Sequence, residues 1–128
     1  MKIIRNKYIP FQGYKAINLF GILFVKPKAV LDERTLNHEA IHSAQIKEVM
    51  TTVALIAVIL AIFGLYCLAI IIAVFSYYIL YILEWIYRLI RHKGKAYRNI
   101  SFEREAFEND GDLGYLGKRK FYGFLRYL

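Results

Sequence analysis

The feature that most constrains this chain is a long stretch without charge. No Asp, Glu, Lys or Arg occurs between Val49 and Leu83, where most residues are apolar or aromatic. One straight helix of that length would measure about 50 Å, whereas the hydrocarbon core of a bilayer is about 30 Å thick. Two crossings fit this thickness if the chain turns near Gly64, because glycine readily adopts the positive φ that ends many helices. The stretch therefore predicts transmembrane helices over 49–64 and 67–90.

The basic residues flank the uncharged stretch on both sides. The net charge is +8, and all 18 lysines and arginines lie before Val49 or after Leu83. Flanking cations are retained in the cytoplasm, which predicts a protein integral to the inner (cytoplasmic) membrane with both termini cytoplasmic. The lipid bilayer is then a partner. Nucleic acid is not expected, because no DNA- or RNA-binding motif accompanies the charge.

An acidic residue lies close to the end of the second predicted crossing. Glu84 precedes Arg88 by one helical turn, and tyrosines and Trp85 surround it. It is interpreted either as half of an i,i+4 ion pair near the headgroups or as part of a functional site, since ionisable groups at membrane depth are often functional.

The segment before the first crossing contains a metal-binding pattern. Asp32 begins a predicted helix over 32–48, in which nothing breaks the helix before Glu48. His38 and His42 are four residues apart, so they project from one face and can bind one cation together. With Glu39 they form H-E-x-x-H, in which neutral imidazoles suit zinc and the glutamate can take a proton from water. The alternative is a solvated, polar helix face.

A catalytic zinc site needs a third protein ligand and an open position for water. His92 is the only other histidine, and it is interpreted as a solvated residue because its neighbours in RHKG are basic. The acidic run NISFEREAFENDGD is a better source. It predicts a helix over 99–110 with a cap at Asn99 or Ser101. The helix would carry Glu103, Glu105 and Glu108. Glu103 and Glu105 are interpreted either as ligands or as surface partners of the nearby arginines.

The order of these motifs resembles that of the gluzincin metallopeptidases, in particular their membrane-embedded HtpX-type families. In those families the third zinc ligand is a glutamate in an E-x-x-A-D or similar motif on a later helix. When that motif is aligned with FEREAF, Glu103 falls at the position of the ligand and Ala106 at the position of the motif's alanine. Phe107 replaces the aspartate that orients a zinc-binding histidine. The residues that could take over this role are Glu105, Glu108 and Asp110. Alternatively, Glu105 is itself the ligand, in a register displaced by two. The layout HEAIH…ISFEREAF is also similar to that of a group of small bacterial membrane proteins.

The two ends of the chain are predicted to differ. In residues 1–31, YKAINLFGILFVKP is rich in β-branched and aromatic residues, and KIIRNKYIPF is a candidate partner strand that Pro10 restricts to an edge. Such a hairpin either merely covers the active helix or, as the resemblance implies, holds an extended peptide by strand addition. Residues 111–128 mix aromatic rings with cations and are predicted to lie on anionic headgroups.

The expected fold is a mainly α membrane protein of one domain, 1–128, with a short N-terminal β-hairpin or strand. The expected function is that of a zinc metallopeptidase that acts on a peptide or membrane-protein substrate at the cytoplasmic face. One Zn²⁺ per chain would be held by His38, His42 and Glu103, and Glu39 would be the general base. The alternatives are a non-catalytic membrane protein with a structural metal site and an accessory or sensor subunit. The oxyanion donor stays open among Tyr97, Arg98 and Arg104.

Overall fold

The computed structural model describes residues 1–92 and 94–128, without the side chain of His92. The predicted role of that imidazole therefore lies outside the described residues. Elsewhere the fold is mainly helical with one small sheet, in agreement with the predicted class. The strands are β1 (Lys2–Arg5), β2 (Ala16–Leu19) and β3 (Ile22–Val25). The helices are α1 (Glu33–Ile62), α2 (Tyr66–His92), α3 (Ala96–Asn99), α4 (Ser101–Asn109) and α5 (Tyr115–Lys118), and a 3₁₀ turn follows at Gly123–Tyr127.

Helix α1 is one continuous helix that contains both the metal-binding pattern and the first predicted crossing. It begins after Asp32, whose carboxylate accepts a hydrogen bond from the backbone N–H of Thr35 at 2.8 Å. This contact satisfies one of the N–H groups that lack a partner in the first helical turn. The helix ends before Gly64, which has a φ of +79°. The predicted start and turn are both present.

Helices α1 and α2 are each long and apolar enough to cross a membrane. They pack against each other as an antiparallel hairpin, yet most of their apolar surface stays outside the protein core. Only 28% of the most apolar part of α1 and 17% of that of α2 is buried. A helix in the core of a water-soluble domain would bury most of such a surface. Membrane integration and the orientation of the termini remain predictions.

The sheet has the strand order β1-β3-β2. The predicted extended region is a hairpin of β2 and β3 around Gly21, and β1 is the predicted edge strand, paired parallel to β3. Strand β2 forms the opposite edge and lies along α1. The Asn18 side-chain amide connects them by donating to the Glu39 carbonyl at 2.7 Å and to Ser43 Oγ at 2.9 Å. One edge of the sheet therefore lies directly beside the H-E-x-x-H segment.

Helix α4 is anchored to α2 by a carboxylate rather than by its own cap. Neither Asn99 nor Ser101 caps it with a side chain, and the helix begins one to two residues later than predicted. Instead, the Glu84 carboxylate accepts hydrogen bonds from the Ser101 backbone N–H at 2.8 Å and hydroxyl at 2.6 Å. Glu84 also pairs with Arg88 at 3.0 Å. The predicted ion pair is present, and the Glu84 carboxylate also binds the start of α4, the helix that carries Glu103.

The C-terminal segment folds back onto α4. Phe124 is buried against Phe102, with ring centroids 4.3 Å apart, and both belong to the main apolar cluster. Gly123 is buried directly against the Glu105 carboxylate. Contact of residues 111–128 with lipid headgroups remains a prediction, but part of the segment belongs to the protein core.

Substitution of Gly123 should test this packing. A Cβ atom at Gly123 would lie closer to Glu105 Oε1 than van der Waals contact allows. Either the Gly123 backbone or the Glu105 carboxylate, which Arg119 and Tyr115 hold, must shift to relieve the clash. We expect Gly123→Ala to lower the free energy of unfolding by about 1–3 kcal/mol, the usual cost of overpacking. Thermal unfolding in detergent measures the change. Gly117→Ala is the matched control, because a Cβ there meets nothing within 4 Å. Equal stability of the two variants would contradict the described packing.

Candidate metal centre

Three side chains from two helices converge at one point. His38 and His42 extend from the same face of α1, and their Nε2 atoms are 3.1 Å apart. Glu103 on α4 approaches both, with Oε2 at 3.5 Å from His38 Nε2 and Oε1 at 3.4 Å from His42 Nε2. All three side chains are largely buried. The structure thus brings together the two histidines of H-E-x-x-H and the glutamate of the later helix, and the group could hold a metal ion.

The hydrogen bonds of Gln45 fix the tautomer of His42. The Gln45 amide nitrogen donates to the Phe102 carbonyl at 3.0 Å and to the Glu105 carboxylate at 2.8 Å. Its oxygen must therefore be the atom that lies 2.8 Å from His42 Nδ1. An oxygen at that distance requires a proton on Nδ1, which leaves a lone pair on Nε2. In the neutral ring this lone pair is therefore on the nitrogen that lies near Glu103 and His38.

The His38 ring has a carboxylate at its outer nitrogen. Asp110 Oδ2 lies 3.7 Å from His38 Nδ1. This distance is too long for a good hydrogen bond, but the negative charge favours the tautomer with its proton on Nδ1. Asp110 itself is held by Arg34, whose Nε donates to Oδ1 at 2.7 Å. Both histidines are thus arranged as metal ligands usually are, with an acceptor behind the ring and Nε2 free to coordinate.

The Glu103 carboxylate has one buried oxygen whose hydrogen-bonding capacity is unused and which could bind a cation. Its Oε1 accepts a hydrogen bond from Tyr81 at 2.8 Å, whereas Oε2 is buried without a hydrogen-bond partner. Burial opposes the negative charge, but the contacts with His38 and His42 outweigh it and hold the pKa of this carboxyl below its ordinary value. Two imidazole nitrogens and a carboxylate oxygen are a ligand set that zinc accepts. The residues present fit a metal ion.

Asp110 is the carboxylate that takes the position behind His38. The Phe107 ring instead packs on the His38 ring, with centroids 4.6 Å apart. Glu108 is exposed and pairs with Arg104 at 3.6 Å. Asp110 caps the end of α4 three positions after Phe107, so the two residues lie on the same face of the helix.

Glu105, the alternative third ligand, is engaged elsewhere. It is completely buried and receives hydrogen bonds from Arg119 at 2.7 and 3.1 Å and from Tyr115 at 2.8 Å. Arg119 also forms an ion pair with Glu48 on α1. Through Gln45, the same carboxylate supports His42. In the part of the chain that the structure describes, Glu105 therefore belongs to the support of the metal centre and not to the group of candidate ligands.

A cleft of about 480 Å³ opens beside the three candidate ligands. Glu39 lies in its wall together with Asn18 and Leu19 of β2. On the other side the cleft is lined by aromatic residues, including Tyr77, Tyr78, Tyr81 and Tyr97. The cleft therefore offers space for a ligand next to both the metal-binding group and the glutamate of H-E-x-x-H.

Several residues that shape the centre were not identified from the sequence. They are Gln45, Tyr81 and Arg119. Asp110, in contrast, was one of the three carboxylates considered for the position behind a histidine. Gln45 alone had a readable signal, since it lies three residues after His42 on a helix and so shares its face. Tyr81 and Arg119 come from segments far away in sequence, and no local pattern relates them to the histidines.

The role of Gln45 in orienting His42 is testable through metal affinity. Gln45→Leu keeps the volume roughly constant but removes the acceptor at Nδ1. We expect zinc to bind about 10–100-fold more weakly, the usual effect of losing such a partner. Competition with a chromophoric chelator in detergent measures the affinity, and circular dichroism reports folding. Lys47→Leu, an exposed site on the same helix, should bind zinc as the unmodified protein does. Unchanged affinity in a folded Gln45→Leu protein would rule out the orienting role.

The centre must be judged from its own geometry. Protein-family models, curated protein sequences and solved structures contain no match to this chain. Two helices long enough to span a membrane are combined with a buried group of His38, His42 and Glu103 that could hold a metal ion.

Proposed function

We propose that the protein is a membrane-embedded zinc metallopeptidase that cleaves a membrane protein or interfacial peptide at the cytoplasmic face. The observation that carries this proposal is the position of the candidate ligands in the wall of a cleft, with Glu39 lining the same cleft. A purely structural zinc site is normally closed by four protein ligands. Within the described part of the chain the group has three members, which favours an open position.

The three ligands would be His38, His42 and Glu103, with one zinc ion per chain. When bound, zinc acts as a Lewis acid that polarises a carbonyl group and lowers the pKa of water. The chain supplies the remaining chemistry. Glu39 accepts a proton from the attacking water and then donates it to the nitrogen of the leaving amine. Asp110 and Gln45 keep the two imidazoles in the orientation that this arrangement requires.

Strand β2 is suited to hold the substrate. It pairs with β3 on one side only, and residues 16–19 of this strand line the cleft. An extended peptide could add to this free edge through main-chain hydrogen bonds. Asn18 would hold the strand in register with the helix, since its amide is bonded to the Glu39 carbonyl.

Tyr97 is the best-placed donor to the developing oxyanion. Of the three residues considered from the sequence, it is the one that lines the cleft, and it is 51% exposed. Arg104 instead donates to the Tyr127 carbonyl at 2.9 Å, and the Arg98 guanidinium lies 4.9 Å from the centre of the Phe107 ring. A tyrosine hydroxyl in that position can stabilise negative charge by donating a hydrogen bond.

The membrane location is supported by the apolar surface of α1 and α2. Many large apolar side chains on these helices are exposed, among them Leu55, Ile62, Ile70 and Ile82. Contiguous apolar surface of this extent is unfavourable in water and favourable in lipid. The flanking cations orient both termini toward the cytoplasm. A metal centre at the cytoplasmic end of the hairpin would then meet substrates at the membrane surface.

The ligand assignment predicts the zinc content of purified variants. We expect about one zinc per chain in the unmodified protein, in keeping with the single group of ligands. His38→Ala and His42→Ala should each lose it, because one imidazole and one carboxylate bind zinc poorly. Metal analysis after dialysis against a weak chelator gives the stoichiometry. His92→Ala is the matched control and should retain zinc. Full zinc content in both site variants would refute the assignment.

The general-base assignment predicts a separation of binding from hydrolysis. Glu39→Gln should retain zinc but lose cleavage of a quenched fluorescent peptide library in detergent by at least about 100-fold, the effect typical of removing a general base. The exposed Glu33→Gln on the same helix should remain active. Cleavage by Glu39→Gln would exclude Glu39 as the base. Zinc binding without cleavage by the unmodified protein would favour a structural metal site.

A further inference from the structure

The turn between β2 and β3 contacts α2 well inside its uncharged part. The centroid of the Phe20 ring lies 6.1 Å from that of the Phe75 ring and 5.2 Å from that of the Tyr78 ring. Phe75 precedes Glu84, the first charged residue of α2, by nine residues. At 1.5 Å per residue, Phe75 lies about 13 Å from Glu84 along the helix axis, on the side of the uncharged segment. If α2 spans a bilayer, the turn cannot remain in bulk water.

One exposed backbone N–H of this turn has a partner within the protein. The Phe20 N–H donates to the Tyr78 hydroxyl at 2.7 Å, although Phe20 is 45% exposed. In water, solvent would serve an exposed N–H group equally well. In lipid no solvent is present, so backbone groups must find partners within the protein. The tyrosine from α2 provides that partner where the turn meets the apolar segment.

The residues of the turn are unusual for a turn in water. Phe20 and Gly21 both have positive φ, +54° and +77°. Asn, Asp and Gly are favoured in such two-residue turns, and a bulky residue in the left-handed region is strained. Phenylalanine there gains nothing from water, but its ring gains contact with apolar surroundings. Met1 and Lys2 lie at the same end of the sheet, since Lys2 pairs with Ile22. An aromatic ring, apolar side chains and a lysine are typical of the layer between headgroups and acyl chains.

From these contacts we propose that the β2–β3 turn is immersed in the cytoplasmic leaflet, with Phe20 among the lipid acyl chains near the headgroups. The inference rests on the proposed membrane insertion of α2 and deepens the proposed function. Leu19 and Tyr78 line the cleft at the end nearest the turn. That end of the cleft therefore faces lipid, and an extended segment leaving the bilayer reaches Glu39 by moving along β2.

Tryptophan fluorescence in vesicles tests the position of the turn. Phe20→Trp is made in a Trp85→Phe background, which removes the single native tryptophan. The protein is reconstituted in phosphatidylcholine with or without bromine atoms on the acyl chains near the headgroups. We expect bromine to quench the emission strongly and the emission maximum to be shifted to shorter wavelength. Tyr8→Trp in the same background is the control in water, because Tyr8 is 75% exposed in the loop between β1 and β2. It should not be quenched.

A second control separates the turn from the helix. Ile71→Trp reports whether α2 itself is in lipid. Quenching of Ile71→Trp without quenching of Phe20→Trp would overturn the immersed turn and leave the membrane protein intact. Absence of quenching in both would overturn the inference together with membrane insertion. If Phe20→Trp does not fold, as judged by circular dichroism, Ile22→Trp gives the same measurement at the start of β3.

Discussion

The rest of the structure depends on the meeting of two imidazoles and one carboxylate at a buried point. The Nε2 atoms of His38 and His42 lie 3.1 Å apart, and Glu103 approaches each of them within 3.5 Å. Gln45 and Asp110 draw the ring protons to the opposite nitrogens. Two imidazole nitrogens and a carboxylate this close together in a buried place need a bound proton or a cation between them. The metal would be an integral part of this core, since the fold directs so many groups toward its position.

Holding these groups together requires that α4 be fixed on both sides. Glu84 on α2 binds the N-terminal end of α4, and the amide of Asn37 on α1 donates to backbone carbonyls just after the helix, including that of Asp110 at 3.0 Å. Arg119 then connects Glu105 on α4 with Glu48 on α1. A nine-residue helix alone would be unstable. Contacts with α1, α2 and the C-terminal segment compensate, and they place the Glu103 carboxylate where two histidines need it.

The arrangement also relates the metal centre to the proposed membrane. The charged residues of α1 end at Glu48, directly before the apolar part of the helix, and His42 and His38 lie about two and about three turns earlier. The aromatic residues of α2 that line the cleft come from the same end of the apolar segment. The β2–β3 turn adjoins the same cleft through Leu19 and Tyr78, and in the proposed arrangement it would open the cleft toward lipid. A small protein thereby combines a polar, ligand-rich site with an apolar surface, and it does so within a few helical turns.

The sequence by itself determined the features that depend on neighbours along the chain. The lack of charge between Val49 and Leu83 predicted two long apolar helices, and the four-residue spacing of His38 and His42 placed both imidazoles on one helix face, because helical geometry is local. The helix containing Glu103 was also predictable, although the predicted capping residues were wrong. Only the tertiary structure decided that Glu103 faces the histidines while Glu105 binds Arg119, and that Asp110 supports His38. These carboxylates have similar local sequences. Their roles differ because each faces a different partner on another segment of the chain. Local spacing does not record such contacts between distant segments.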